Sequence, residues 1–199
     1  MRNTFIVMFL FLLVAGACKD ESSDLGDQYF RNGQYKEAVA AYTEYLTLEP
    51  THIKSLYNRG RAYEELGQHD KALADFHKII KEDPLNVNAY LSITSDYYYR
   101  QQDYENTVFY ADKTLKLNEN NPVAHTLKGK AYQKLGKLNE ALAAYNAAIS
   151  VDKEYADAYL SRALLRIHLK QTSRACADLT MAKSLGAKSA ADVMGKYCK

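Results

Sequence analysis

The sequence predicts an all-α chain: a solenoid of about five helix pairs, closed by a C-terminal capping helix. Three observations predict it. Small and aromatic residues recur with a period of 34 residues. Within each period, apolar residues fall at helical spacing in two stretches separated by a short polar turn. Period-2 alternation is nowhere sustained, which argues against strands. One such helix pair cannot bury its apolar face alone, whereas stacked pairs can.

Composition agrees. The chain has 199 residues, 47% of them hydrophobic, enough for a sizeable core. Lys+Arg is 26 and Asp+Glu is 24. That near balance argues against a dedicated nucleic-acid binder, which shows a basic excess. Gly (9) and Pro (3) are too few for a disordered or fibrous chain, and 17 Tyr with no Trp points to helix-packing ridges or a binding surface.

The first element is an address. Arg2 precedes an uncharged run from Phe5 to Ala17, which reads as a secretory signal peptide over residues 1–17. The run is shorter than the roughly 20 residues of a membrane-spanning helix. Cys18 follows directly. Val14-Ala15-Gly16-Ala17-Cys18 resembles the lipobox of bacterial lipoproteins, with Ala15 where Leu is commonest. That resemblance implies cleavage before Cys18 and a lipid on its thiol. The other reading is an ordinary signal peptide cut after Ala17. Residues 18–21 would form the tether, and Lys19-Asp20-Glu21 is similar to a surface-export signal of some Gram-negative bacteria. The location so implied is the outer membrane, on its periplasmic or surface face.

Residues 22–199 carry the repeats. Ala38, Ala72, Thr107, Ala141 and Ala175 lie 34, 35, 34 and 34 residues apart. The first unit, about 19–52, pairs Gly26 and Tyr29 with Ala38 and Tyr42. In the second, 53–86, Leu56, Gly60 and Tyr63 form one stripe, and Leu66-Gly67 ends it, Gly just past a helix being a C-cap signal. Ala72, Leu73, Phe76, Ile79 and Ile80 form the next stripe, and Asp83-Pro84 stops it. The third, 87–121, holds one extra residue near Gln101-Gln102, which is expected in the turn. It carries Thr94 and Thr107 where smaller residues are usual, which predicts looser packing. The fourth, 122–155, repeats Gly129, Tyr132, Ala141 and Tyr145. The fifth, 156–189, has Ala163, Arg166, Ala175 and Leu179. Ala190, Val193, Met194, Tyr197 and Cys198 make the stripe of a capping helix over 187–198.

With Cys18 lipidated, Cys176 and Cys198 remain. In an oxidising compartment two cysteines either pair or stay buried as thiols. Cys176 is in phase with Val39, Leu73, Val108 and Leu142, so it faces the next helix, which is the cap holding Cys198. This favours a disulfide.

No motif for catalysis is present: neither HExxH, GxSxG nor a phosphate-binding GxxxxGK[ST]. His69 and His77, with Asp70 and Asp75 between them, could be read as a metal site, but they fit better as a turn histidine and a helix-surface histidine. No metal, cofactor or enzymatic activity is expected.

The period and the turns Asn32-Gly33-Gln34-Tyr35, Leu66-Gly67-Gln68-His69 and Leu135-Gly136-Lys137-Leu138, each leading into a second helix, resemble the tetratricopeptide repeat. The resemblance implies a right-handed superhelix whose first helices line a concave, peptide-binding groove. The matching positions are Tyr57 and Arg61, with Glu64, in the second unit. The third offers Leu91, Ser95, Tyr98 and Tyr99, and the fourth Thr126, Lys130, Gln133 and Lys134. Leu160, Leu164 and Ile167 in the fifth are expected to pack on the cap. The Lys/Asn/Arg carboxylate clamp of the family's chaperone-tail binders is not matched: only Asn58 fits, while Ser23, Asp27, Asn88 and Ser92 do not. The expected function is a membrane-anchored envelope adaptor that binds a protein or peptide partner. The alternative is a structural subunit of an outer-membrane assembly or uptake complex.

Overall fold

The computed structural model describes residues 23–198. The expected signal peptide, the lipidated Cys18 and the tether lie outside the described residues. Among the described residues all regular structure is helical. In chain order the helices are α1 (23–31), α2 (Tyr35–Leu48), α3 (Ile53–Glu65), α4 (His69–Glu82), α5 (Val87–Asp96), a π-helical turn (Tyr97–Gln101), α6 (Tyr104–Leu117), α7 (Pro122–Lys134), α8 (Leu138–Val151), α9 (Ala156–His168), α10 (Thr172–Ser184) and α11 (Ala190–Tyr197). The chain divides at Ala89/Tyr90 into two compact units.

The turns follow the period. The backbone enters the left-handed region at Gly33, Gly67, Gln102, Gly136 and Lys170, with φ of 74°, 68°, 53°, 74° and 58°. This conformation ends each first helix and lets the chain reverse. Glycine adopts it freely, and Gln102 and Lys170 do so at a cost. Three of the first helices begin on side-chain caps at the same beat. His52, Asn86 and Asn121 accept from the backbone N–H of Ser55 (3.3 Å), Ala89 (3.1 Å) and Ala124 (2.9 Å), each satisfying a donor the helix start leaves free.

In the first unit, α3 packs between α2 and α4. Ala38, Tyr42 and Ala62 form a buried cluster with Tyr29, Phe30, Tyr35 and Val39 around it. A small residue on the first helix meets a large one on the second. A Cβ added to Gly26 would stand 2.6 Å from the Tyr42 ring, and one added to Gly60 2.7 Å from Phe76. The ring occupies the space the missing side chain leaves. Full burial of a ring such as Phe76 contributes about 2–3 kcal/mol.

The second unit repeats this device. Gly129 would clash with Tyr145 at 2.6 Å. Where the glycine is absent, its partner shrinks: Thr94 goes with Ala111, and Ala163 with Leu179, all four fully buried. Thr94 and Thr107, which the sequence marks as larger than usual there, both lie in the core of the third repeat. The hydroxyls of Thr94 and Thr107, both fully buried, donate back to the carbonyls of Tyr90 (2.8 Å) and Asp103 (2.7 Å), so neither leaves an unpaired polar group.

At the C-terminus, α11 packs on α10. Ala190 is buried with Tyr159, Ala163, Leu179 and Ala182, and Val193, Met194 and Cys198 pack against that cluster. A disulfide joins Cys176 on α10 to Cys198. Tyr197 departs from the expected stripe. Position 198 is tied back to α10, and the neighbouring Tyr197 ring is left 41% exposed.

The extra residue of the third repeat is not in the turn. In the regular repeats, the residue after the left-handed position bonds back five residues: Gln34 to Tyr29, Gln68 to Tyr63, Lys137 to Tyr132 and Gln171 to Arg166 (2.8–2.9 Å). In the third repeat, Asp103 N–H reaches Tyr97 C=O at 3.0 Å, six residues back. The π-helical turn absorbs the insertion inside the helix end, a common place for a functional site.

Candidate functional site

A pocket of about 210 Å³ opens in the second unit. Tyr98 and Tyr99 of the π-turn form one wall. Lys130, Gln133 and Lys134 of α7, Tyr145 of α8, and Ser161 and Leu164 of α9 complete the lining. The π-turn explains how three successive tyrosines are divided. Tyr97 turns to stack on Tyr110, with ring centroids 5.2 Å apart and planes at 14°. Tyr98 and Tyr99 meet edge to face at 4.8 Å, and both line the pocket. Tyr99 is 63% exposed and Leu164 44%, so the rim offers apolar surface to a ligand.

The polar groups are fixed by one another. Lys130 Nζ lies 2.7 Å from Asp157 Oδ2. Burial works against the Lys130 charge, but the Asp157 pair outweighs it and raises the ammonium above its ordinary range. Asp157 Oδ1 accepts from Ser161 Oγ at 3.4 Å. The Tyr145 hydroxyl donates to Gln133 Oε1 at 3.0 Å, which directs the Gln133 amide N–H groups elsewhere. Burial pushes the Tyr98 and Tyr145 hydroxyls above the usual tyrosine range, so both stay protonated donors at neutral pH. No group of three or more metal-ligating side chains occurs among the described residues.

The structure thus brings together Tyr98, Tyr99, Lys130 and Gln133 of the groove residues expected from sequence. Leu164 joins them, whereas Leu160 and Ile167 pack on the C-terminal cluster. Thr126 is a correction: it is 1% exposed, because α7 packs on α6, α8 and α9 and encloses it. Leu91 and Ser95 are half-buried on α5 and do not line the pocket. Tyr57 and Arg61 lie in the first unit. Tyr57 packs on Phe76 at 5.7 Å, and Arg61 pairs with Glu64 at 2.8 Å on its own helix.

Asp157, Ser161 and Tyr145 were missed. Asp157 and Ser161 hold the fifth-unit places of Asn88 and Ser92, and neither is a residue of the lysine–asparagine–arginine clamp. The 27-residue separation of Lys130 and Asp157 was the available signal. It recurs in the first unit, where Lys54 Nζ lies 2.6 Å from Asp27 Oδ2.

Comparison with known proteins gives consistent results. A tetratricopeptide-repeat family model matches residues 23–87 and 57–122, and a second TPR-repeat model matches 129–166. A DnaJ homolog subfamily C member 3 homolog of Dictyostelium discoideum is 25% identical over 197 residues, covering 92% of this chain and 39% of that protein. The chain spans well under two thirds of the curated relatives it matches. Among solved structures, MamA superposes with a TM-score of 0.75 at 22% identity, over 88% of this chain and 95% of that one. PilW, a type IV pilus biogenesis factor, does so at 0.74 and 19% identity, over 84% and 77%.

Proposed function

The chain belongs to the tetratricopeptide-repeat family, and on that premise we propose that it is a lipid-anchored adaptor of a bacterial cell envelope. It recruits a protein partner through the face that carries the second-unit pocket. The observation that carries this reading is the pocket itself. Four elements converge on it, yet exposed Tyr99 and Leu164 and the solvent-facing Lys134 are left without a partner element to cover them. Aromatic residues in a partly enclosed, partly desolvated setting suit a hot spot for protein binding. The anchor rests on the sequence alone, on the Phe5–Ala17 run and Cys18. Acylation at Cys18 would hold the protein at a membrane, each buried CH₂ contributing about 0.8 kcal/mol. No helix among the described residues is long and apolar enough to cross one.

Two measurements test the reading. Intact mass spectrometry from a native-like host is expected to show an acylated N-terminal Cys18, lost in Cys18→Ala. A chain cut after Ala17 without lipid would remove the anchor. Crosslinked pull-down from envelope extracts is expected to recover a partner that Lys134→Glu and Tyr98→Ala lose. A partner retained by both variants would point to the structural-subunit reading.

A further inference from the structure

We propose that the pocket takes an aromatic side chain together with a neighbouring carboxylate, so that the partner segment is a short acidic–aromatic peptide. The inference rests on the adaptor reading and specifies its ligand.

The free hydrogen-bonding capacity of the pocket is on the donor side. Gln133 Oε1 is occupied by the Tyr145 hydroxyl, and its amide N–H groups remain available. Both oxygens of Asp157 already accept, one from Lys130 and one from Ser161. Lys134 is exposed, and no carboxylate holds it among the described residues. Lys130 and Lys134 both line the pocket and only Lys130 is paired with a carboxylate, so the surplus charge is that of exposed Lys134. A ligand that brings a carboxylate satisfies Lys134 and Gln133 together, a charge-assisted arrangement stronger than a neutral one. A wholly apolar ligand would bury those donors unpaired, and a basic one would meet Lys134 directly.

The walls set the rest. The Tyr98 and Tyr99 rings stand edge to face, and the partly exposed Leu164 lines the same pocket. Such a surface favours an aromatic ring, which buries a large area at small entropic cost. A volume of about 210 Å³ is below the roughly 300–1,000 Å³ of pockets that enclose drug-sized ligands, and suits one large side chain. The remainder of the peptide would lie outside.

The test is a random decapeptide display library selected on the full chain. Enriched peptides are then synthesised and measured by fluorescence anisotropy against wild type, Tyr98→Ala, Lys134→Glu and Lys134→Arg. The expected result is enrichment of sequences with Phe, Tyr or Trp within two positions of Asp or Glu. Their affinity should fall about tenfold or more in Lys134→Glu, recover in Lys134→Arg, and weaken severalfold from 50 to 500 mM salt, as charge-dependent contacts do. Peptides that lose binding in Tyr98→Ala but lack the acidic–aromatic pair would overturn this inference and leave the adaptor reading standing. No enrichment, or binding indifferent to every variant, would overturn both. Lys134 is exposed, so circular dichroism melts should match wild type.

Discussion

The two units contain the same polar arrangement with its charges reversed. In the first, Asp27 on α1 pairs with Lys54 at 2.6 Å. In the second, Lys130 on α7 pairs with Asp157 at 2.7 Å. Tyr42 corresponds to Tyr145, and Asn58 to Ser161. Around the acid the neighbours converge: the Tyr42 hydroxyl (2.6 Å) and the Asn58 amide (2.9 Å) both donate to Asp27 Oδ1. Around the cation they do not converge, because an ammonium accepts no hydrogen bond: Ser161 donates to Asp157 Oδ1 instead. Tyr145 therefore turns to Gln133. At the first site three donors share one carboxylate, whereas at the second the Gln133 amide N–H groups are left over. One charge reversal on a shared frame changes which groups the neighbouring hydroxyls meet.

A second pair of equivalent sites sharpens this. Arg59 grips Asp75 with Nε (2.8 Å) and Nη2 (2.7 Å), and reaches Thr43 at 3.2 Å. Arg162 grips Asp178 in the same way (2.9 and 2.7 Å) and reaches Asn146 at 2.6 Å. Only Asp178 has a second cation, Arg166, at 2.7 Å. Arg59→Ala strands a carboxylate that is nearly buried and is expected to cost about 3 kcal/mol, near the low end for a broken buried pair. Arg162→Ala should cost about 1–2 kcal/mol, because Arg166 still pairs with Asp178. Urea denaturation measures both, and equal losses would mean that the second arginine contributes nothing.

Asp27→Ala removes the acceptor of three donors and should cost about 2–3 kcal/mol. Lys130→Met removes a cation from Asp157, which is 40% exposed and can be solvated, so about 1 kcal/mol is expected. If the two losses in thermal melts come out in the opposite order, the distinction between a shared acceptor and a solvated ion pair fails.

The pH dependence should be mirrored. Burial pushes the Asp27 carboxyl up, but hydrogen bonds from Lys54, Tyr42 and Asn58 outweigh it and hold its pKa below the ordinary 3.8. Its folded pKa is below its unfolded one, so its stabilisation is present above 3.8 and lost as pH falls through the folded value. Lys130 is raised above 10.5. Its stabilisation is present below 10.5 and lost as pH rises through the folded value. Urea midpoints against pH should show a flatter acid limb in Asp27→Asn and a flatter alkaline limb in Lys130→Gln. Tyr98 and Tyr145 also titrate late, so the alkaline comparison is read as wild type minus Lys130→Gln.

The smallest effects concern the turns. Gln102→Gly and Lys170→Gly should each stabilise by about 0.5–1 kcal/mol, and Gly67→Ala should cost about 1 kcal/mol, as left-handed positions predict. A Gln102→Gly variant no more stable than wild type would indicate that the π-turn holds that residue by other means.

How far the sequence carried the reading follows from these residues. The period, the glycine–aromatic pairs and the left-handed glycines are local or strictly periodic, and one chain displays them directly. The extra residue near Gln101 was also visible, but not that a helix end would absorb it, because that choice depends on how Tyr97 and Tyr110 pack. The Asp27–Lys54 and Lys130–Asp157 pairs join different repeats, and each charge alone resembles an ordinary surface residue. Thr126 shows the same limit. Helical spacing assigned it a face, but only the packing of α9 decides how much of that face is covered.

An insertion in an α-helix ordinarily rotates every later side chain by about 100°. Here five residues take up the displacement, and Thr107, Ala141 and Ala175 return to step. The array absorbs one extra residue here without a fault spreading to its neighbours. The π-turn that takes it up carries the two tyrosines that face the pocket. The one extra residue thus reshapes a pocket wall while the repeats that follow keep their register.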